Sequence, residues 1–265
     1  MNIMSKTAGL TAAALLGTSL MASQASAITL EFTITNNQAD GGLFLTPLYL
    51  GLHDGSFDAF SEGSAASAGL ELLAEEGSPA DIAGERQALL PNSQGGVITS
   101  PGGFAGAPVI DPGETATLRI EVDAENRFLT YLSMIIPSND AFIGNDDALE
   151  LLDADGNFLG AQTINVSLDD IWDAGTELNN NIGAAFNAAG GTGTEEGGVV
   201  TRLGTDIIDQ LAGQSTAAGT TVNSILNSSL ATITIAAVPL PATLPLLGAV
   251  LLGGGAAARR RKANS

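Results

Sequence analysis

The chain has 265 residues, no cysteine and one histidine, and its nine basic residues stand against 29 acidic ones. Lys6 and the run Arg259-Arg260-Arg261-Lys262 lie at the two ends, so only Arg86, Arg119, Arg127 and Arg202 offset the acidic residues of the middle. This balance excludes a nucleic-acid binder, which needs Lys and Arg to meet phosphates, and the missing cysteines exclude a disulfide framework and thiolate metal sites.

From the N-terminus, Lys6 precedes an apolar run from Ala8 to Met21 that closes on Ala25-Ser26-Ala27. A positive start, an apolar stretch too short to span a bilayer and small residues before the cut make a secretory signal peptide. Cleavage is expected after Ala27, so residues 1–27 would engage the Sec export machinery and the domain would begin at Ile28. Ile28 to Asn36 alternates apolar and polar residues and predicts an amphipathic strand. Leu43 to Leu52 predicts a second, with Pro47 marking an edge or a bulge. Ser64 to Glu76 is the one strongly helical segment of this half, stopped by Gly77.

Residues 91–113 are rich in Gly, Pro and Ser and read as loop, broken by a short strand around Val97. Thr115 to Val122 alternates again, and Phe128 to Ile136 is a more continuous apolar strand. Asp155-Gly156, set between Leu149 and Phe158, predicts a hairpin turn. Residues 178–200 are Gly- and Asn-rich loop, Thr205 to Leu211 makes a helical turn or two, and Ala231 to Ile235 is the last strand. Seven or eight short strands with turn signals between them predict an all-β fold, an antiparallel β-sandwich with minor helices, over residues 28–236.

From Val238 to Ala258 run 21 residues without a charge. As a helix they measure about 31 Å, enough for one membrane pass, and the basic cluster behind them would stay cytoplasmic. Residues 237–265 thus read as a C-terminal segment that holds the chain at a membrane through residues 238–258. The order Val238-Pro239-Leu240-Pro241-Ala242, single span, Arg cluster resembles the PEP-CTERM class of sorting signals, in the variant with Leu240 between the prolines. The resemblance implies an exosortase-type processing enzyme as partner and delivery to the cell surface or to extracellular polysaccharide. A plain tail anchor is the alternative.

Three further segments carry a second resemblance. They are Leu45-Thr46-Pro47-Leu48 with His53-Asp54 and the region up to Glu75-Glu76-Gly77; then Ser133 to Gly144, containing Met134-Ile135-Ile136-Pro137-Ser138-Asn139-Asp140; and Trp172-Asp173-Ala174-Gly175-Thr176-Glu177. In this order they resemble the spondin N-terminal domain. The resemblance implies a calcium-binding β-sandwich similar to C2 domains, and a secreted module of adhesion or of a biofilm or exopolysaccharide matrix. It places the calcium ligands on Asp140, Asp173 and Glu177, the last replacing the Asp of the animal pattern. The chemistry agrees, because calcium takes six to eight oxygens at about 2.3–2.6 Å and carboxylates on neighbouring loops can converge on it.

The remaining candidates read as structural. Asp153-Ala154-Asp155-Gly156-Asn157 lacks the later acidic positions of an EF-hand loop and reads as the hairpin turn. His53 has no Gly-x-Ser-x-Gly elbow to activate and reads as a polar strand-end residue, and Trp172 reads as packing beneath the acidic loop. Asn165 and Asn227 head glycosylation-type triplets that carry little weight in this export context. No catalytic residue is expected, and the chain reads as a non-enzyme. The competing readings are a metal-assisted envelope hydrolase built on Asp140 and Asp173, and a simple periplasmic calcium or glycan binder.

Overall fold

A computed structural model describes residues 27–100 and 107–239. The expected signal peptide, apart from Ala27, and the expected membrane segment and basic cluster from residue 240 on lie outside the described residues. Among the described residues, no helix is long and apolar enough to cross a membrane.

Twelve strands and three α-helices follow one another in the described residues. The first half holds β1 (Ile28–Asn36), β2 (Phe44–Leu45), β3 (Leu48–His53), α1 (Ala68–Glu76), α2 (Ala80–Leu89), β4 (Gln94–Ile98) and β5 (Thr115–Val122). The second half holds β6 (Phe128–Ile136), β7 (Ala141–Gly144), β8 (Leu149–Glu150), β9 (Gln162–Ser167), β10 (Ile171–Asp173), β11 (Thr201–Arg202), α3 (Asp206–Leu211) and β12 (Ser229–Ala237). All pairings are antiparallel, and the strands make two sheets. One has the order β5-β1-β12-β9; the other runs β11-β10-β7-β6-β3-β4, with β2 and β8 also bonded to β6.

The first sheet follows from its alternation. Leu30, Phe32 and Ile34 of β1 are fully buried against the second sheet, while the residues between them point outward. On that outer face Thr33 bonds Thr117 at 3.0 Å, Thr35 bonds Thr115 at 2.9 Å, and Arg119 pairs with Glu31 at 2.7 Å. These are the cross-strand pairs a half-wet antiparallel sheet uses. The pair Arg119–Glu31 is exposed and adds little to stability.

The second sheet is buried on both faces, which is why β3 and β6 read as near-continuous apolar runs. Leu48, Leu50, Leu52, Leu129, Tyr131 and Ile135 enter the core between the sheets. Tyr49, Leu132 and Phe142 enter a second core, closed by Leu70 and Leu73 of α1, Ile82 of α2, and Phe60. Each large apolar side chain so buried contributes roughly 1.5–3 kcal/mol. The sandwich thus carries a third, helical layer. Ser67 caps α1 and is itself held by Glu85 of α2, and Gly77 ends α1 in the left-handed conformation at φ 66°. Helix α2, absent from the sequence reading, buries only Ile82 and Arg86.

Pro47 marks neither an edge nor a bulge: the predicted Leu43–Leu52 strand is split into β2 and β3 on either side of it, and β3 is bonded to both β4 and β6. The last strand is longer than predicted and runs to Ala237, one residue past the expected boundary. Leu30 of β1 lies opposite Ala237 of β12, and the Val238 amide donates to the Thr29 carbonyl at 2.9 Å. Both ends of the domain therefore leave from one end of the first sheet. At the opposite end of β1, the Asn36 side chain donates from Nδ2 to the carbonyls of Leu43 and Ile110. Next to it Phe44 pairs with Ile136, the last residue of β6. The turn that follows Ile136 carries the acidic site.

Candidate metal centre

The turn Pro137–Asp140 joins β6 to β7 and is set by local bonds. The Ile136–Pro137 peptide is cis; the Ser138 hydroxyl donates to the Ile135 carbonyl at 2.6 Å and accepts from the Ala141 amide at 3.0 Å. Asp140 follows, fully buried. Beside it, Asp173 ends β10, which pairs with β7 so that Asp173 lies opposite Ala141. The Ala174 amide donates to the Asp140 carbonyl at 3.2 Å, closing the two strand ends together.

One oxygen of Asp140 is saturated and the other is bare. Oδ2 accepts from the Thr176 amide at 2.8 Å, the Thr176 hydroxyl at 3.2 Å and the Glu177 amide at 3.1 Å. Oδ1 is buried with no hydrogen-bond partner. Burial, and then the charge of Asp173, push the Asp140 carboxyl up to about 6, against the pull of its three donors. A buried carboxylate oxygen without a donor is expensive.

Asp173 is held from below. Its Oδ1 accepts from the Gly175 amide at 2.7 Å and its Oδ2 accepts from the Asn179 side chain. The turn requires glycine at 175: φ is +68°, and a Cβ there would stand 2.5 Å from the Val199 carbonyl oxygen. Gly175 bonds Gly198, and Thr176 bonds Glu196, so residues 175–176 lie along a second acidic loop.

Glu177 is placed differently from its two partners. Its amide, not its carboxylate, reaches Asp140. Its Oε2 accepts from the Asn139 side chain at 3.1 Å. Asn139 also donates to the Ile182 carbonyl and accepts from the Asn181 amide at 2.7 Å, pinning the whole 177–182 loop to the β6–β7 turn. Asp140 and Asp173 are thus brought together, while Glu177 stands one loop turn aside. As these side chains stand, no three acidic or histidine groups among the described residues form a closed chelate.

Carboxylate oxygens are the ligand type a hard divalent cation takes. Two carboxylates sit side by side under cover, one with a bare oxygen, and all four arginines of the domain are engaged elsewhere. Arg119 and Arg127 pair with Glu31 and Glu150, Arg202 pairs with Asp170, and Arg86 bonds Tyr49. A proton or a cation would offset the remaining charge of the pair. Calcium bonded to Asp140, Asp173 and Glu177 would supply it with oxygen ligands only.

The other sequence candidates are structural. His53 is fully buried; its Nδ1 accepts from the Gly55 amide at 3.0 Å and its Nε2 meets the Thr130 hydroxyl at 3.0 Å. Burial lowers it to about 4, so it is neutral at physiological pH. Asp153 accepts from the amides of Asp155 and Asn157 and from the Asn157 side chain, which makes it a self-contained hairpin turn. Trp172 packs edge-on to Phe60, donates from Nε1 to the Gly144 carbonyl and carries the Arg202 guanidinium 3.9 Å over its ring.

Sequence reasoning missed Asn139, Thr176 and Glu75. Asn139 and Thr176 hold the site by hydrogen bonds. Glu75 lies near them on α1, and burial pushes its carboxyl up to about 7. A family model described as Spondin_N matches residues 45–190. No curated protein matches the chain.

Proposed function

The chain belongs to the spondin N-terminal family, and on that premise we propose that it works as a secreted, non-enzymatic calcium-binding module. In this reading calcium joins the β6–β7 turn to the loop after β10, and the rigid loop end serves adhesion or association with an extracellular matrix or polysaccharide. The single observation that carries it is the bare, buried Oδ1 of Asp140 beside Asp173, with no basic residue in reach among the described residues.

The chain's own residues divide the work. Asp140, Asp173 and Glu177 would hold the ion; Thr176 and the Glu177 amide orient Asp140 by bonding its other oxygen. Asn139 fixes Glu177 and the loop behind it. Bound calcium would supply the charge that cancels the mutual repulsion of the carboxylates. The placement of the site supports outward display. Both domain ends leave from the opposite end of the sandwich, so a tail anchored or processed there directs the acidic loops away from the attachment point.

Thermal melting of the purified chain tests the reading. Calcium should raise the melting temperature and a chelator should reverse the rise; at calcium a hundredfold above its dissociation constant, linkage gives about 2.7 kcal/mol. Asp173→Ala should lose the response. A wild-type melting curve indifferent to both additions would refute calcium binding.

A further inference from the structure

One long strand edge is left open in this fold. Of the outer strands, β4 packs onto β5, where a Cβ at Gly96 would stand 2.5 Å from Leu118, and β11 spans only two residues. Strand β9 spans six residues and pairs on one side only, with β12. The register shows which of its backbone groups are free. The Val238 amide donates to the Thr29 carbonyl, so the even-numbered residues at this end of β12 face β1 and the odd-numbered ones face β9. Those odd residues, Ile235, Ile233 and Ala231, lie opposite Gln162, Ile164 and Val166. The N–H and C=O groups of Thr163 and Asn165 therefore point away from β12, and they have no protein partner among the described residues. Open edges are usually guarded by charge or proline. The run Gln162-Thr163-Ile164-Asn165-Val166-Ser167 carries neither.

Against this edge lies a cavity of about 220 Å³, walled by Asn165 and Val166 of β9 and, across from them, by Tyr131, Asp146, Asp170 and Arg202. Tyr131 is 6% exposed and its ring packs in the core between the sheets, yet its hydroxyl has no hydrogen-bond partner among the described residues. With the ring packed away, the hydroxyl is the end left to face the cavity, and an unbonded hydroxyl under cover is costly. A second cavity of about 430 Å³ shares Asp146 and adds Asp58, Glu62 and Asp147. Five carboxylates thus line the two cavities against one arginine, Arg202, which already stacks on Trp172 and pairs with Asp170 at 3.6 Å. Partial loss of water, and then the charges of Asp147, Asp58 and Glu62, push the Asp146 carboxyl up.

An open strand edge beside an acidic hollow fits one kind of occupant. An added strand hydrogen-bonds through its backbone and turns alternate side chains toward the second sheet. We propose that β9 takes up an extended basic peptide segment of a partner protein as a further strand of the first sheet, with a Lys or Arg side chain entering the cavity beside Tyr131 and Asp146. The two N–H and two C=O groups of Thr163 and Asn165 are its main-chain partners. The Tyr131 hydroxyl oxygen and the Asp146 carboxylate accept from its basic group. A second copy of this chain is the wrong occupant, because it sets acidic walls against acidic walls. The site uses none of the proposed calcium ligands and is independent of that reading.

Fluorescence anisotropy of a labelled peptide alternating Lys and Thr, titrated with the full-length chain in non-ionic detergent, tests this. Wild type should bind it, more weakly as salt rises, and hydrogen exchange of residues 162–167 should slow. Asn165→Pro removes one outward N–H without touching the β9–β12 ladder. It should bind roughly tenfold more weakly, whereas Asn165→Ser should match wild type. Asp146→Asn should weaken binding and flatten its salt dependence. Equal melting of Asn165→Pro and wild type establishes that the variant is folded. The same peptide with N-methylated backbone amides needs no variant, and should lose binding to wild type. Undiminished binding of the N-methylated peptide, or by a folded Asn165→Pro, would overturn strand addition. Equal binding of a peptide alternating Glu and Thr would overturn the basic occupant, and self-association abolished by Asn165→Pro would assign the edge to a second copy instead. Absence of peptide binding to wild type would overturn the proposal and leave the calcium site standing.

Discussion

Arg86 and Asp140 are both buried charged side chains, and their surroundings are opposite in kind. Arg86, on α2, is 2% exposed, and its guanidinium donates to the Tyr49 hydroxyl at 2.8 Å, the Leu52 carbonyl at 3.3 Å and the Gln94 carbonyl. It has neutral acceptors from β3 and β4 on several sides and sews the helical layer to the sheet edge. Asp140, at the other site, accepts three bonds on one oxygen and none on the other, next to a second carboxylate. A buried charge whose groups are all bonded is part of the scaffold; one left half-bonded beside its own sign is shaped for a ligand.

The largest effect should come from breaking the complete site. Arg86→Met leaves the Tyr49 hydroxyl and two strand carbonyls without their donor, and should cost about 3 kcal/mol in urea unfolding. The loss should be the same with calcium and with chelator, because this site holds no ion. A cost below about 1 kcal/mol would mean that the guanidinium bonds are replaceable by water.

Relieving the incomplete site should act in the other direction. Asp140→Asn keeps an oxygen for the Thr176 and Glu177 donors and replaces the bare, charged oxygen by a neutral amide. In chelator at neutral pH the variant should melt no lower than wild type, and it should show no calcium response. A clear destabilisation in chelator would place Asp140 with Arg86 as scaffold.

A smaller effect follows from proton linkage. The folded Asp140 carboxyl is raised above its unfolded value, so the folded state binds the proton more tightly. Metal-free wild type should therefore gain stability relative to Asp140→Asn as pH falls through about 6, the gain being complete near the ordinary carboxylate range. Calcium should oppose this gain, since it competes with the proton for the same oxygens. A wild-type-minus-variant difference that stays flat with pH in chelator would show that the site is already hydrated.

Much of the scaffold was legible because its signals are local. The alternation of β1 and β5, the apolar run of β6, the stop at Gly77 and the turn at Asp155-Gly156 each depend on near neighbours in the chain. What was not legible depends on contacts across it. Helix α2 has no apolar stripe, since one of its two buried positions is an arginine. Strands β7 and β10 span four and three residues and exist through their pairing. Asp140 and Asp173 came from family resemblance, and the register of β7 with β10 brings them together. The side-chain direction of Glu177, set by Asn139, joins loops far apart in sequence. No periodicity records such contacts.

The calcium site stands or falls with the bare oxygen of Asp140 as a cation ligand. A crystal structure of the chain grown with calcium tests it most directly. One ion should be bonded to Oδ1 of Asp140 and to the Asp173 carboxylate, with Glu177 drawn in. A structure in which Oδ1 meets only water or a protein donor at saturating calcium would contradict it.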